Sequence, residues 1–174
     1  KRSDNVYYLD DLIDDVGADV AQFFFVMRSV NTHLDFDIAL AKEESDKNPV
    51  FYLQYAHARI SSILRNAKDV FPEYGDNSMP DINMLKTPEE LSLMKVLTVF
   101  PETVASAAVT YEPHKVITYL NEVAENYHRF YHNNRVIDAE AKELSYARLK
   151  LCEAAKAVLK NGFDIIGISA PEKM

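Results

Sequence analysis

Asn48-Pro49-Val50-Phe51-Tyr52-Leu53-Gln54-Tyr55-Ala56-His57-Ala58-Arg59-Ile60 is the stretch from which the fold of this chain can be read. Asn48 is a good N-cap and Pro49 suits the first helical position, where a missing N–H costs nothing. No further Gly or Pro follows until Pro72, so the spacing predicts a helix from Pro49 to about Phe71. At about 100° per residue, Leu53, Ala56, Ile60, Ile63 and Leu64 form one apolar stripe. Tyr52, Tyr55 and Arg59 lie within about 60° of each other along one edge of it. Two phenols and a guanidinium on one strip can stack on and hydrogen-bond to an unstacked nucleic-acid base. The same periodicity equally describes two half-buried packing tyrosines and a surface arginine. His57 sits about 160° from Arg59, at the other margin of the stripe, and reads as a structural histidine.

Downstream, helical signals dominate. Thr87-Pro88-Glu89-Glu90 is a capping-box start, and Leu91, Met94, Val96 and Leu97 carry that helix to Pro101. Pro101 opens a helix expected to bury Val104, Ala105, Ala108 and Val109. Pro113 opens another, with Val116, Leu120, Val123, Tyr127 and Phe130 at helical spacing. A long last helix is expected over about 138–161, with Gly162 as the residue after its end. Phe163 to Ile168 then forms a short apolar coda. Between the first of these helices and Thr87, Pro72, Gly75, Asn77, Pro80 and Asn83 mark a loop of about fifteen residues, long enough to be functional or mobile.

Residues 1–47 read differently. Asn5–Leu9 and Leu34–Ile38 look like short strands. Between them come a helical turn capped by Asp10 or Asp11 and closed by Gly17, and an apolar helix from Ala18 to Met27. The fold class expected is mainly α: a helical bundle preceded by a small mixed α/β segment.

The chain has 174 residues and a net charge of −8, which argues against indiscriminate phosphate binding. Residues 1–50 carry eleven acids against five Lys and Arg, whereas residues 114–174 are near neutral, so a nucleic-acid partner would favour the C-terminal half. No Gly-rich phosphate loop occurs, nor an uninterrupted apolar run of membrane-spanning length, and no membrane partner is expected. One cysteine, Cys152, within a helical pattern suits a packing residue and a reducing compartment, hence a cytoplasmic location. The Asp10-Asp11 and Asp14-Asp15 pairs lack the spacing of a metal site and read as solvated surface. Tyr127-His128-Arg129-Phe130-Tyr131-His132-Asn133-Asn134-Arg135 gathers aromatics, amides and cations. His128 and His132 lack a third ligand, which leaves recognition of planar polar groups or helix-end capping.

Four blocks carry a family resemblance: Val16-Gly17-Ala18-Asp19 through Phe24-Phe25-Val26-Met27-Arg28-Ser29; Asp35-Phe36-Asp37; Asn48 to Arg59; and Ala170-Pro171-Glu172-Lys173-Met174. They resemble the C-terminal part of the arginyl-tRNA synthetases, class I aminoacyl-tRNA synthetases with a DALR-type anticodon-binding domain, and Ala147-Arg148-Leu149 falls in the corresponding helix. The resemblance implies a piece of a longer protein: residues 1–47 as the tail of the catalytic region and 48–174 as the α-helical anticodon-binding domain. It implies Lys1 as a remnant of the Lys-Met-Ser-Lys signature loop. ATP (with Mg) and arginine are the intact enzyme's ligands, with no cofactor in this piece, which is expected to be inactive alone. The implied partner is the tRNA(Arg) anticodon arm, bound by a monomer. The tyrosines Tyr52 and Tyr55, together with His132 and Met174, are implied as anticodon contacts; Arg59 is added from the helical wheel alone. The alternative is a helical protein-interaction module with no RNA role.

Overall fold

Glu90, a carboxylate that is only 1% exposed, marks the centre of the bundle. The computed structural model describes residues 8–29, 31–75 and 78–174. Among these, the α-helices are α1 (Leu9–Val16), α2 (Ala18–Val26), α3 (Ile38–Ala41), α4 (Pro49–Val70), α5 (Pro88–Thr98), α6 (Phe100–Thr110), α7 (His114–Asn133) and α8 (Lys142–Ile166). Helices α7 and α8 pack on each other and each on α4 and α5, α6 leans on α7, and α2, paired with α1, meets α4 and α8.

Helix α4 starts where its sequence says it must: the Asn48 side chain accepts the Val50 N–H at 3.1 Å and donates to the Ala41 carbonyl at 3.0 Å. Leu53, Ala56, Ile60 and Ile63 are buried in the core, as is the α7 series Val116, Leu120, Val123, Tyr127 and Phe130.

The capping box of α5 does more than start a helix. Glu90 accepts the Thr87 N–H at 2.8 Å and the Lys86 N–H at 2.7 Å, while Thr87 Oγ1 accepts the Glu90 N–H at 3.3 Å. Its other oxygen meets Arg148 Nε of α8 at 2.7 Å. Arg148 also donates to the Arg135 carbonyl and to Asn134 Oδ1, at 2.9 and 3.2 Å, so it ties the end of α7 to the start of α5. Burial pushes the Glu90 carboxyl up, but the Thr87 N–H, the Arg148 guanidinium and the Lys86 N–H outweigh it and hold the group below the ordinary carboxylate range.

Several expectations are corrected. The N-terminal segment carries no strand among its described residues. Residues 34–37 are irregular and Ile38 opens α3, with no strand among the described residues to pair with, while Phe36 packs on Phe24 with ring centroids 5.0 Å apart. Leu9 belongs to α1, whose N-cap is Tyr8, with Asp10 and Asp11 in the first turn beside the positive helix end; residues 5–7 lie outside the described residues. Helix α6 buries Ala107, but leaves Val109 80% exposed. Residues 88–110 are long and apolar enough to cross a membrane, yet the helix is interrupted at Val99, and α5 is fixed in the bundle by Glu90. Gly162 is not the end of the last helix. It lies inside α8, and Gly167, at φ +78°, forms the left-handed C-cap instead. Gly162 is glycine for closeness: a Cβ there would overlap the methyl groups of fully buried Leu120 on α7.

Two predictions follow from this packing. Gly162→Ala gains helix propensity of up to about 1 kcal/mol but overpacks the α7–α8 contact by about 1–3 kcal/mol. A net loss is expected in urea unfolding, and Gly162→Ala should be relieved by Leu120→Ala in the double variant. Arg148→Ala should cost about 3–5 kcal/mol, because it strands a buried carboxylate. As the Glu90 pKa is depressed from 4.5 on folding, its contribution is complete above pH 4.5 and is lost as pH falls through the folded value. Unfolding of Glu90→Gln against the parent, followed from pH 7 to 3, should show the difference shrinking at the acid end.

Candidate nucleic-acid interface

Helices α4 and α7 cross so that the aromatic edge of the first faces the C-terminal end of the second. The His128 ring fills the crossing: it lies 5.1 Å from the Tyr52 ring, 6.5 Å from Tyr55 in a stacked arrangement, and 5.6 Å from Tyr127. Phe51 and Tyr55 continue the stack outward at 6.3 Å and 7°. Burial, then the nearby Arg59 cation, pushes the His128 imidazole down from its ordinary value, so it is neutral at pH 7.

Arg59 occupies the next turn of α4. Its guanidinium lies 4.5 Å from the Tyr131 ring centre and 5.7 Å from that of Tyr55, and it donates to the Tyr55 hydroxyl at 3.2 Å. A cation set against two rings and hydrogen-bonded to a phenol is held in a fixed orientation. Beside it opens a groove of about 540 Å³, lined by Arg59, His128, Arg129, Tyr131, His132 and Asn133. Such a surface offers ring faces for stacking and fixed donors for base edges or phosphate. Burial pushes the Tyr52 phenol up and pushes the Tyr127 phenol, sealed beneath the groove, far above its ordinary value. Both therefore remain protonated.

The residues singled out in the sequence divide accordingly. Tyr52, Tyr55, Arg59 and His132 border one surface, with Tyr55 39% exposed and His132 exposed. Met174 is 54% exposed. The segment before it is fastened to the opposite side of α4: His57 Nδ1 donates to the Pro171 carbonyl at 2.8 Å, and Arg65 to that of Glu172 at 3.1 Å. His57 is thus structural, as its place on the wheel implied. Lys1 lies outside the described residues. Tyr131 and His128 were legible only as members of an aromatic run; that one lies over Arg59 and the other between Tyr52 and Tyr55 depends on how α7 crosses α4. Among the described residues no group of His, Cys, Asp and Glu could hold a metal ion. Cys152 is fully buried, its thiol pushed up to about 12 by burial, a packing residue rather than a nucleophile.

Known proteins share this architecture. The chain is 52% identical to an arginine–tRNA ligase from Chlorobium phaeovibrioides over 178 residues, covering 99% of the chain and 32% of the relative. It is 47% identical to one from Listeria monocytogenes, covering 100% of the chain and 31% of the relative. It therefore spans about a third of the length of these curated relatives. The solved arginyl-tRNA synthetase of Thermus thermophilus superposes with a TM-score of 0.75 at 31% identity, covering 98% of this chain and 28% of that one. Residues 53–174, which carry the crossing of α4 and α7 and the whole of α8, match the DALR anticodon binding domain, and the chain belongs to that family.

Proposed function

We propose that this chain is the anticodon-reading part of an arginine–tRNA ligase, binding the anticodon arm of tRNA(Arg) at the groove between α4 and α7. The observation that carries the reading is Arg59 held between the Tyr55 and Tyr131 rings at the mouth of that groove. Anticodon bases are single-stranded and can be splayed out, so an exposed ring such as Tyr55 stacks one face while Arg59 and His132 reach an edge. Tyr52, tilted against His128, supports the same strip from below. The cations Arg59 and Arg129 on the groove wall account for phosphate attraction in a chain whose overall charge is negative.

In this reading residues 48–174 form the RNA-binding unit and residues 1–47 the end of the catalytic region. The intact ligase takes ATP with Mg and arginine, with Lys1 belonging to its signature loop, and works as a monomer in the cytoplasm. Met174, which is exposed, is a further anticodon contact in this reading. A protein-interaction role has one observation of its own: the exposed Val99, Val109 and Tyr111 around α6.

Titration of the chain with the tRNA(Arg) anticodon stem-loop separates the two. Single-base changes in the anticodon should each cost about 1–3 kcal/mol, and affinity should fall steeply with salt. Equal binding of a scrambled loop, or no salt dependence, would remove the RNA reading. Tyr55→Ala should weaken stem-loop binding by about 1–3 kcal/mol while leaving the melting temperature within a few degrees of the parent. A collapse of stability instead would make Tyr55 a packing residue.

A further inference from the structure

The strip on α4 that holds Tyr52, Tyr55 and Arg59 does not stop at the groove. Asn66 lies about two turns beyond Arg59, inside the same arc of about 60°, and about 10 Å farther along the helix axis. There a second opening, of about 290 Å³, lies between Ile63 and Asn66 of α4 and residues 134–137, with Tyr131 in its wall. Tyr131 also lines the groove beside Arg59, so one aromatic side chain borders both openings. Neither opening has a carboxylate in its lining, in a chain of net charge −8. A surface free of acids that carries Arg59, Arg129 and Arg135 attracts phosphate locally where the chain as a whole repels it.

Residues 134–137 are irregular, yet they are held in place. Arg148 donates to the Arg135 carbonyl at 2.9 Å, Val136 is buried, and Ser145 Oγ accepts the Asp138 N–H at 2.9 Å. The buried Asn134 side chain is fully used: it donates to the Phe130 carbonyl and accepts from Thr87 and Arg148. Asn134 is therefore structural. Two polar side chains of the opening remain for a ligand. Arg135 places Nε on the Ile137 carbonyl at 3.1 Å and Nη1 3.7 Å from Asp138 Oδ1, which orients the guanidinium while its side chain stays 75% exposed. Asn66 is exposed and has no hydrogen-bond partner among the described residues. Its amide offers a donor and an acceptor side by side, the pattern that pairs with a base edge.

We propose that this second opening is a subsite for a further nucleotide of the bound strand, next to the one stacked at Tyr55, with Asn66 reading its base edge and Arg135 contacting its phosphate. The proposal rests on the anticodon-arm reading above. A single-stranded loop can splay consecutive bases, so Tyr131 stands between two neighbouring nucleotides of one strand. The two polar residues then divide the work. A phosphate contact fixes register without sequence information, and the amide carries the discrimination between bases. Because the backbone of 134–138 is already fixed on α8, little ordering cost falls on binding.

The test titrates the chain and its variants with the tRNA(Arg) anticodon stem-loop, carrying in turn an abasic site at each loop position. Asn66→Ala should weaken binding about tenfold, and one abasic position should abolish that difference. That position should neighbour, and not coincide with, the one that abolishes the effect of Tyr55→Ala. Arg135→Ala should weaken binding of every loop alike and flatten the slope of log affinity against log salt by about 0.7, whereas Arg135→Lys should keep the slope. Both side chains are exposed, so melting temperatures within a few degrees of the parent are expected. Unchanged affinity in Asn66→Ala, an unchanged salt slope in Arg135→Ala, or an Asn66 effect that traces to the same nucleotide as Tyr55 would each overturn the second subsite while leaving anticodon binding in place. Absence of stem-loop binding by the unaltered chain would instead overturn the reading of function on which it rests.

Discussion

The buried pair of Glu90 and Arg148 is the constraint around which the bundle is arranged. A carboxylate that is 1% exposed is tolerable only when every strong acceptor site is met. Here two backbone N–H groups and a guanidinium meet it, from the start of α5 and the middle of α8. Arg148 then spends its remaining donors on the Asn134 side chain and the Arg135 carbonyl, at the C-terminal end of α7. One ion pair thus fixes three helices at the C-terminal end of α7, whose last turns line the groove. Burying such a pair contributes less to stability than apolar packing would; what it supplies is a unique register, because other alignments of α5 on α8 leave a charge unpaired.

That register matters for the surface at the other side of α7. The helix that carries His128, Tyr131 and His132 is held along its length, by the packing of Leu120 against Gly162 and by the Asn134 contacts. Within the groove, the aromatic rings do two jobs at once. Tyr127 is part of the core, Tyr52 and His128 are half-covered, and Tyr55 reaches solvent. The gradient from core to surface runs along a single continuous set of ring contacts, so the exposed members are rigid without being buried. For a site that stacks bases, rigidity of this kind reduces the ordering cost of binding.

Helix α4 was legible almost completely from its residues, because its determinants are local: a cap, a proline at the first position, and an apolar stripe of helical period. The capping box at Thr87 was legible for the same reason. The strand expected over 34–38 failed because alternation of apolar and polar residues is a local pattern, whereas a strand needs a partner. Phe36 is apolar in order to meet Phe24 and Phe25, not to line a sheet. Gly162 was misread since glycine after a helix and glycine inside one look alike in sequence. Only the approach of Leu120 from α7 tells them apart. The apolar residues of α6 read as core, yet Val109 faces outward, because the period of a helix does not say which of its faces a neighbour covers.

The sequence by itself determined the helices, their caps, the aromatic and cationic strip of Tyr52, Tyr55 and Arg59, and the family that its signature blocks resemble. These depend on neighbours a few residues apart, and short-range geometry in a helix is fixed by its pitch. The tertiary structure alone decided that Tyr131 lies over Arg59, that His128 touches both Tyr52 and Tyr55, and that Gln54 and His57 bind the Ser169 and Pro171 carbonyls. Those outcomes depend on where α7 and the C-terminal segment cross α4. Crossing is set by packing and by one buried ion pair between residues 58 positions apart, a separation at which no periodicity survives.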